Sequence, residues 1–188
     1  MKLKNMKRPA VFLDRDGTLI EEVNYLSALE DLKIFPFAAD SLELLKRHGY
    51  LIVVITNQSG IGRGIFPESE MHAIHDHIGT ELAGLIDRFY FCPHEPDDGC
   101  NCRKPNTGMI RRACEDLGVA LADSWMIGDK SLDVEAGKNA GLKTILVRTG
   151  YGDRFDPEST TQPDYIEDDL LRAAERIVST SRRALDII

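Results

Sequence analysis

Pro9-Ala10-Val11-Phe12-Leu13-Asp14-Arg15-Asp16-Gly17-Thr18 is the stretch whose reading decides the fold. Its apolar start, Pro9 to Leu13, reads as a short buried strand. Two carboxylates, two residues apart, follow that strand directly, and Gly17 opens a turn behind them. At a strand end, Asp14 and Asp16 can both project above the sheet edge. There one can attack as a nucleophile, the other can trade protons, and together they can help hold a divalent cation. A strand-end pair of aspartates also reads as a plain turn former, so the remaining chain has to decide.

Outward from this point, strand-like and helix-like segments alternate. Ala38 to His48 is an amphipathic helix entered at Pro36 and closed by Gly49. Leu51 to Ile55 is a continuous apolar, β-branched run, as expected for a strand covered on both faces. A second helix runs from Pro67 to about Ile86, followed by a short strand at Phe89 to Phe91 and a third helix from Gly108 to Leu117. Trp125 to Ile127 and Thr144 to Val147 are strands, separated by a helix over Leu132 to Ala140 that Gly141 stops. A polar linker, Tyr151 to Pro163, leads to a last helix over Asp169 to Val178 with one apolar face. Such alternation specifies an α/β fold, a doubly wound, Rossmann-like parallel sheet. In such sheets ligands bind beyond the carboxyl ends of the strands. Asp14, Thr56 and Asp129 all fall there.

The chain's 188 residues suit a single domain, residues 1–188. With 23 basic and 31 acidic residues, its net charge of −8 argues against a partner held through nucleic-acid phosphates. The opening run MKLKNMKRP is basic without an apolar stretch behind it, and no segment is long and apolar enough for a membrane span. Of the four cysteines, Cys92, Cys100 and Cys102 crowd into one loop, which points to metal binding and a reduced, cytoplasmic setting.

Three further motifs carry chemistry. In Thr56-Asn57-Gln58-Ser59-Gly60, a hydroxyl and successive turn amides can cradle phosphate oxygens. Arg103-Lys104-Pro105 puts two cations near a helix start, Lys as a point charge and Arg as a fork. Gly128-Asp129-Lys130-Ser131-Leu132-Asp133 ends a strand with one Asp and opens a helix with another; Asp129 offers oxygen to a hard cation such as Mg²⁺, and Asp133 suits the first turn of its helix. The cysteine loop, residues 92–102, presents Cys92, His94, Cys100 and Cys102, a Cys₃His set able to close a tetrahedral, structural Zn²⁺ site. Cys114 reads as an ordinary buried thiol. His48, His72, His75 and His77 read as surface or groove residues of helices, because His72 and His75 have no apparent third ligand.

LDRDGT, TNQSG, RKP and GDKSLD, in that order and each at a strand end, resemble the haloacid dehalogenase-like phosphotransferases from about Val11 to Gly150. The resemblance implies that Asp14 is the nucleophile and that Asp16 is the acid and base. It implies that Thr56 binds the transferring phosphoryl group and that Lys104 neutralises charge. Asp14, Asp16 and Asp129 would form the Mg²⁺ site. With no P-loop for a nucleotide, the reaction is hydrolysis. There is no room for a cap domain, so recognition falls to loops: Glu22, Val23, Asn24 and Tyr25, then Asn57, Gln58, Ser59 and Arg63, with Arg103 and Lys130. CPHxxxxxCxCRKP narrows the resemblance to the zinc-containing bacterial branch of heptose-bisphosphate phosphatases and histidinol-phosphatases. Arg63, Arg103 and Lys130 favour a doubly phosphorylated sugar, and the chain is expected to act as a monomer.

Overall fold

The apolar run of the first strand alternates its side chains between two cores, and that alternation sets the layers. The computed structural model describes residues 7–185; the basic opening stretch at residues 1–6 lies outside them. In β1 (Ala10–Leu13), Val11 and Leu13 face one core while Ala10 and Phe12 face the other, all fully buried. The elements that follow are α1 (Ala38–Arg47), β2 (Leu51–Asn57), the single-turn α2 (Ser59–Gly62), α3 (Glu68–Glu81), β3 (Arg88–Cys92) and α4 (Gly108–Leu117). Then come β4 (Trp125–Gly128), α5 (Ser131–Asn139), β5 (Lys143–Val147), β6 (Tyr165–Glu167) and α6 (Leu170–Leu185). The first core holds Leu42 and Leu45 of α1, Ile74 and Ile78 of α3, and Leu170, Ala174 and Ile177 of α6. The second holds Met109, Ile110 and Ala113 of α4 and Ala136 of α5.

Six strands form one sheet in the order β3-β2-β1-β4-β5-β6, with every neighbouring pair parallel. The strand order reverses between β1 and β4, where Leu13 pairs with Ile127. A doubly wound sheet opens its ligand crevice at that reversal. Asp14 and Asp129 are the residues that follow these two strands, so the chain order alone brings their carboxylates side by side. Among the described residues no helix is long and apolar enough to cross a membrane.

The sequence expectations differ from the structure at four places. β2 extends to Asn57, so Thr56 lies inside the strand and not after it. α3 stops at Glu81, five residues before Ile86, because Ala83 and Gly84 take positive φ (49° and 71°) and reverse the chain although the apolar spacing continues. Tyr165–Glu167 is an edge strand paired with β5, too short and too polar to register as an apolar run. α6 outlasts Val178 and runs to Leu185; the hydroxyls of Ser179, Thr180 and Ser181 bond back to carbonyls of the preceding turn, and Ser181 Oγ also meets the Tyr50 hydroxyl at 2.7 Å.

Ser124 secures the start of β1. Its buried hydroxyl accepts the Ala10 N–H at 2.9 Å and donates to the Ala120 carbonyl at 2.6 Å. Ser124→Ala leaves a central-strand amide without a partner, which costs about 1–3 kcal/mol. Urea unfolding should register that loss, while turnover by the folded protein stays near the parent value.

Candidate active site

Lys104 is the buried hub of the strand-end crevice. Its ammonium donates to Asp14 Oδ1 at 2.7 Å and to the Ile55 carbonyl at 2.9 Å, and lies 2.7 Å from Asp133 Oδ1. All three of its donors are therefore used. Burial works to discharge this ammonium, but Asp133 and Asp14 outweigh it and hold its pKa above the usual lysine range. Asn57 fixes the lysine's backbone from both sides, accepting its N–H at 3.0 Å and donating to its carbonyl at 3.1 Å. Asn57, expected among the substrate contacts, thus lines the cleft while its amide is spent on Lys104. Asp133 does two things: Oδ1 pairs with Lys104, and Oδ2 accepts the Lys130 N–H at 3.1 Å to cap α5.

Asp129 completes a triangle of carboxylates. One ligand oxygen each from Asp14, Asp129 and Asp133 lies within 4.8 Å of the others. Asp129 Oδ2 accepts the Tyr151 N–H at 2.8 Å, whereas its buried Oδ1 has no hydrogen-bond partner among the described residues. An unpartnered buried oxygen among three carboxylates is what a hard divalent cation fits. Gly17 and Gly150, both at positive φ (83° and 60°), wrap this carboxylate, and a Cβ on either would run into it. Burial first, then Asp14, pushes the Asp129 carboxyl up to about 8.

Asp16 stands outside that cluster. Arg15 forks both its oxygens, with Nη2 to Oδ1 at 2.9 Å and Nε to Oδ2 at 3.0 Å. Gln58 Nε2 also reaches Oδ2, at 3.0 Å, and the Thr56 hydroxyl lies 3.4 Å from it. The Asp16 carboxylate is held by these donors from Arg15, Gln58 and Thr56, apart from the three gathered carboxylates. Thr56 Oγ1 accepts from Gln58 at 2.7 Å, so the two side chains orient each other.

These groups floor an open cleft of about 270 Å³. Glu22, Val23, Asn24, Tyr25, Gln58, Ser59, Arg103 and Lys130 line it as expected from the sequence. Arg63 does not: its guanidinium turns to Glu95 of the cysteine loop, 3.4 Å away at the surface. Lys130 pairs with Glu22 at 2.8 Å and lies 4.7 Å from the centre of the Tyr151 ring. Burial raises the Glu22 carboxyl although Lys130 opposes the rise. Arg15 and Tyr151 line the cleft without having been singled out in the sequence. Arg15 was hidden as the variable residue between two motif aspartates, and Tyr151 sits past the last motif in the presumed linker. His75 corrects another expectation, being buried, whereas His72 and His77 are exposed and His48 is half-buried.

The cysteine loop closes on itself. Cys92, His94, Cys100 and Cys102 gather their ligand atoms within 4.8 Å, with Cys102 Sγ 3.1 Å from Cys92 Sγ and 3.2 Å from His94 Nδ1. These separations rule out disulfides, whose sulfurs sit about 2.05 Å apart. They lie close to the ~3.7 Å sulfur spacing of a tetrahedron with ~2.3 Å metal–sulfur bonds. Cys114 is half-buried in α4, apart from the cluster. Arg103 couples the loop to the cleft by donating to the His94 carbonyl at 3.1 Å.

With two carboxylates at one strand end, a third at the next and a lysine between them, the comparisons gain a physical meaning. The HAD-hydrolase-like family model matches residues 101–173. The D-glycero-D-manno-heptose-1,7-bisphosphate 7-phosphatase of Thermosynechococcus vestitus is 41% identical over 92% of this chain and 96% of its own length. The chain belongs to the haloacid dehalogenase-like heptose-bisphosphate phosphatase family. The Escherichia coli K12 member is 34% identical over 94% of this chain and 97% of its own. The D,D-heptose 1,7-bisphosphate phosphatase from B. bronchiseptica, solved with magnesium and phosphate, superposes with a TM-score of 0.84. It is 32% identical, over 92% of this chain and 99% of that one.

The Asp129 shift gives a pH signature with a definite sign. A carboxyl raised from 3.8 to about 8 holds an extra proton in the folded, metal-free protein. Its contribution to stability is complete below the unfolded value and is lost as pH rises toward 8. Binding of a cation requires the ionised form and releases that proton. In Mg²⁺-free buffer without chelator, the melting temperature gained on adding Mg²⁺ should therefore be larger at pH 8 than at pH 5. Equal gains at both pH values would remove Asp129 as the ligand.

Proposed function

We propose that this protein hydrolyses the 7-phosphate of D-glycero-D-manno-heptose 1,7-bisphosphate, giving the heptose 1-phosphate and phosphate. The observation that carries this reading is the 41% identity to a phosphatase of that name across nearly the whole of both chains. The cleft supports it chemically. Arg103 and Lys130 stand at its rim as partners for a phosphate that is not cleaved, and Tyr151 adds an aromatic face beside Lys130. An overall charge of −8 is no obstacle, because Arg15, Arg103, Lys104 and Lys130 line the cleft where the anion must sit.

Lys104 holds Asp14 Oδ1, and Oδ2, without a hydrogen-bond partner among the described residues, is the attacking atom. In the first step Oδ2 bonds to phosphorus, the bond from phosphorus to the sugar oxygen breaks, and Asp16 passes a proton to that oxygen. In the second, Asp16 takes a proton from water as the water oxygen attacks phosphorus, the Asp14–phosphorus bond breaks, and free phosphate leaves. Thr56 and Lys104 offer a hydroxyl and an ammonium to the phosphoryl oxygens; one such preorganised donor is worth about 3–4 kcal/mol. Asp14 and Asp129 are the ligands offered to Mg²⁺, whose charge, when bound, stabilises the equatorial oxygens. The Cys₃His loop is read as a structural Zn²⁺ site, since protein groups fill all four positions.

Asp14→Asn should abolish turnover of every phosphomonoester while the protein remains folded by circular dichroism. Heptose 1,7-bisphosphate should exceed histidinol phosphate by at least ~100-fold in kcat/KM, the scale reached when charged groups of a site are otherwise left unpaired. A preference for histidinol phosphate would overturn the substrate and keep the chemistry. Elemental analysis should find about one zinc per chain, and Cys100→Ser should lower melting temperature and activity together because the metal is coupled to folding. Unchanged stability in that variant would remove the zinc assignment.

A further inference from the structure

A histidine far from every motif reaches the acid–base carboxylate through one buried arginine. His75, on α3, is 5% exposed, and its Nε2 lies 3.3 Å from Arg15 Nη1. Arg15, 1% exposed, sits between the two motif aspartates and forks Asp16 with its other two nitrogens. A guanidinium only donates, so His75 Nε2 is the acceptor and the ring carries its proton on Nδ1. The ring stacks on Phe89 of β3, with centroids 4.6 Å apart and planes 18° from parallel. Burial first, then Arg15 and His72, draw the imidazole down to about 3. It stays neutral in any working buffer and keeps the lone pair that Arg15 needs.

We propose that His75 is a positioning residue: by accepting from Arg15 it fixes the plane of the guanidinium, and through it the direction in which Asp16 presents its carboxyl to the leaving oxygen. The proposal rests on the reading of Asp16 as acid and base given above. An arginine fork is flat, so rotating it moves both Asp16 oxygens at once. Without the imidazole acceptor, Arg15 keeps its charge and its ion pair but loses the only contact to Nη1 among the described residues. Proton transfer is sensitive to such errors, because it needs hydrogen-bond reach in the reacting geometry. An effect on Asp16 as acid also has its own kinetic mark. It weighs on substrates whose leaving group must be protonated, and little on those whose leaving group departs as a stable anion.

The experiment compares kcat/KM for an alkyl phosphate, heptose 1,7-bisphosphate, with that for 4-nitrophenyl phosphate. This ratio reports only the steps through transfer to Asp14 and is blind to the later hydrolysis. His75→Phe keeps the stack on Phe89 and removes the acceptor. It should lower the alkyl value about tenfold or more, a part of the ~10²–10⁴ that a general acid supplies. The aryl value should change by less than about threefold. His75→Gln, which returns an acceptor near the Nε2 position, should recover most of the loss. Arg15→Lys, which cannot bridge His75 and both Asp16 oxygens, should show the same dependence on leaving group and keeps the test open if His75→Phe folds poorly. Equal losses on both substrates, or none, in these variants would overturn the proposal. Asp16→Asn is the control: if it too fails to discriminate, the reading of Asp16 falls and the proposal with it. Discrimination by Asp16→Asn alone overturns only the role of His75.

Discussion

The interaction on which the rest depends is the ammonium of Lys104 buried between the carboxylates of Asp14 and Asp133. It joins the end of β1, the turn from β4 into α5, and the Ile55 carbonyl of β2, so three strand ends share one cation. Taking an ion pair out of water is costly, and geometry this close is what offsets the cost. One lysine, however, serves three carboxylates, because Asp129 lies in the same cluster. Burial first, and then the negative charge of Asp14 and Asp133, drive Asp129 toward its protonated form in the metal-free protein. A site arranged in this way favours a divalent cation, and after it an anion held by the remaining positive groups.

Much of this was legible in the sequence because a parallel sheet converts chain position into spatial position. The motifs lie at the carboxyl end of a strand or in the segment beyond it, all strands point one way, and the motifs therefore meet at one edge. The helices with glycine stops, α1 and α4, were bounded nearly to the residue, since Gly49 and Gly118 take the positive φ that ends a helix. Where the stop was carried by Ala83 ahead of Gly84, the continuing apolar spacing hid it. β6 was missed because an edge strand of three residues draws its order from β5 rather than from its own composition.

Side-chain partners were harder to read than positions. Asn57 looked like a substrate contact and is bonded to the Lys104 backbone; Arg63 looked like a phosphate partner and meets Glu95 outside the cleft. Both pairings went unread for one cause. A polar residue in a motif advertises its chemistry but not which neighbour claims it, and Glu95 comes from a loop whose path no periodicity predicts. His75 was misjudged for a related reason: on a helix rich in charged residues a histidine reads as exposed, until a buried guanidinium from another element supplies its partner. Asp133 shows the converse, since the capping role expected from its place in the first turn is present and Lys104 adds a second one.

The cysteine loop bears on the placement of the buried lysine. The segment leading to Lys104, Pro93 to Asn101, contributes no buried side chain that could anchor it by packing. Cys92, by contrast, ends β3 and is fully buried in the second core, with Cys100 and Cys102 packed against that core. With a metal bound as proposed above, the four ligands gathered there would tie the loop to the sheet. Hydrogen bonds run outward from that loop: Asn106 to the Cys100 carbonyl, Arg103 to the His94 carbonyl, and Asn57 to both sides of the Lys104 peptide. In the proposed reading, coordination distant from phosphorus would thereby set the position of the buried ammonium beside Asp14.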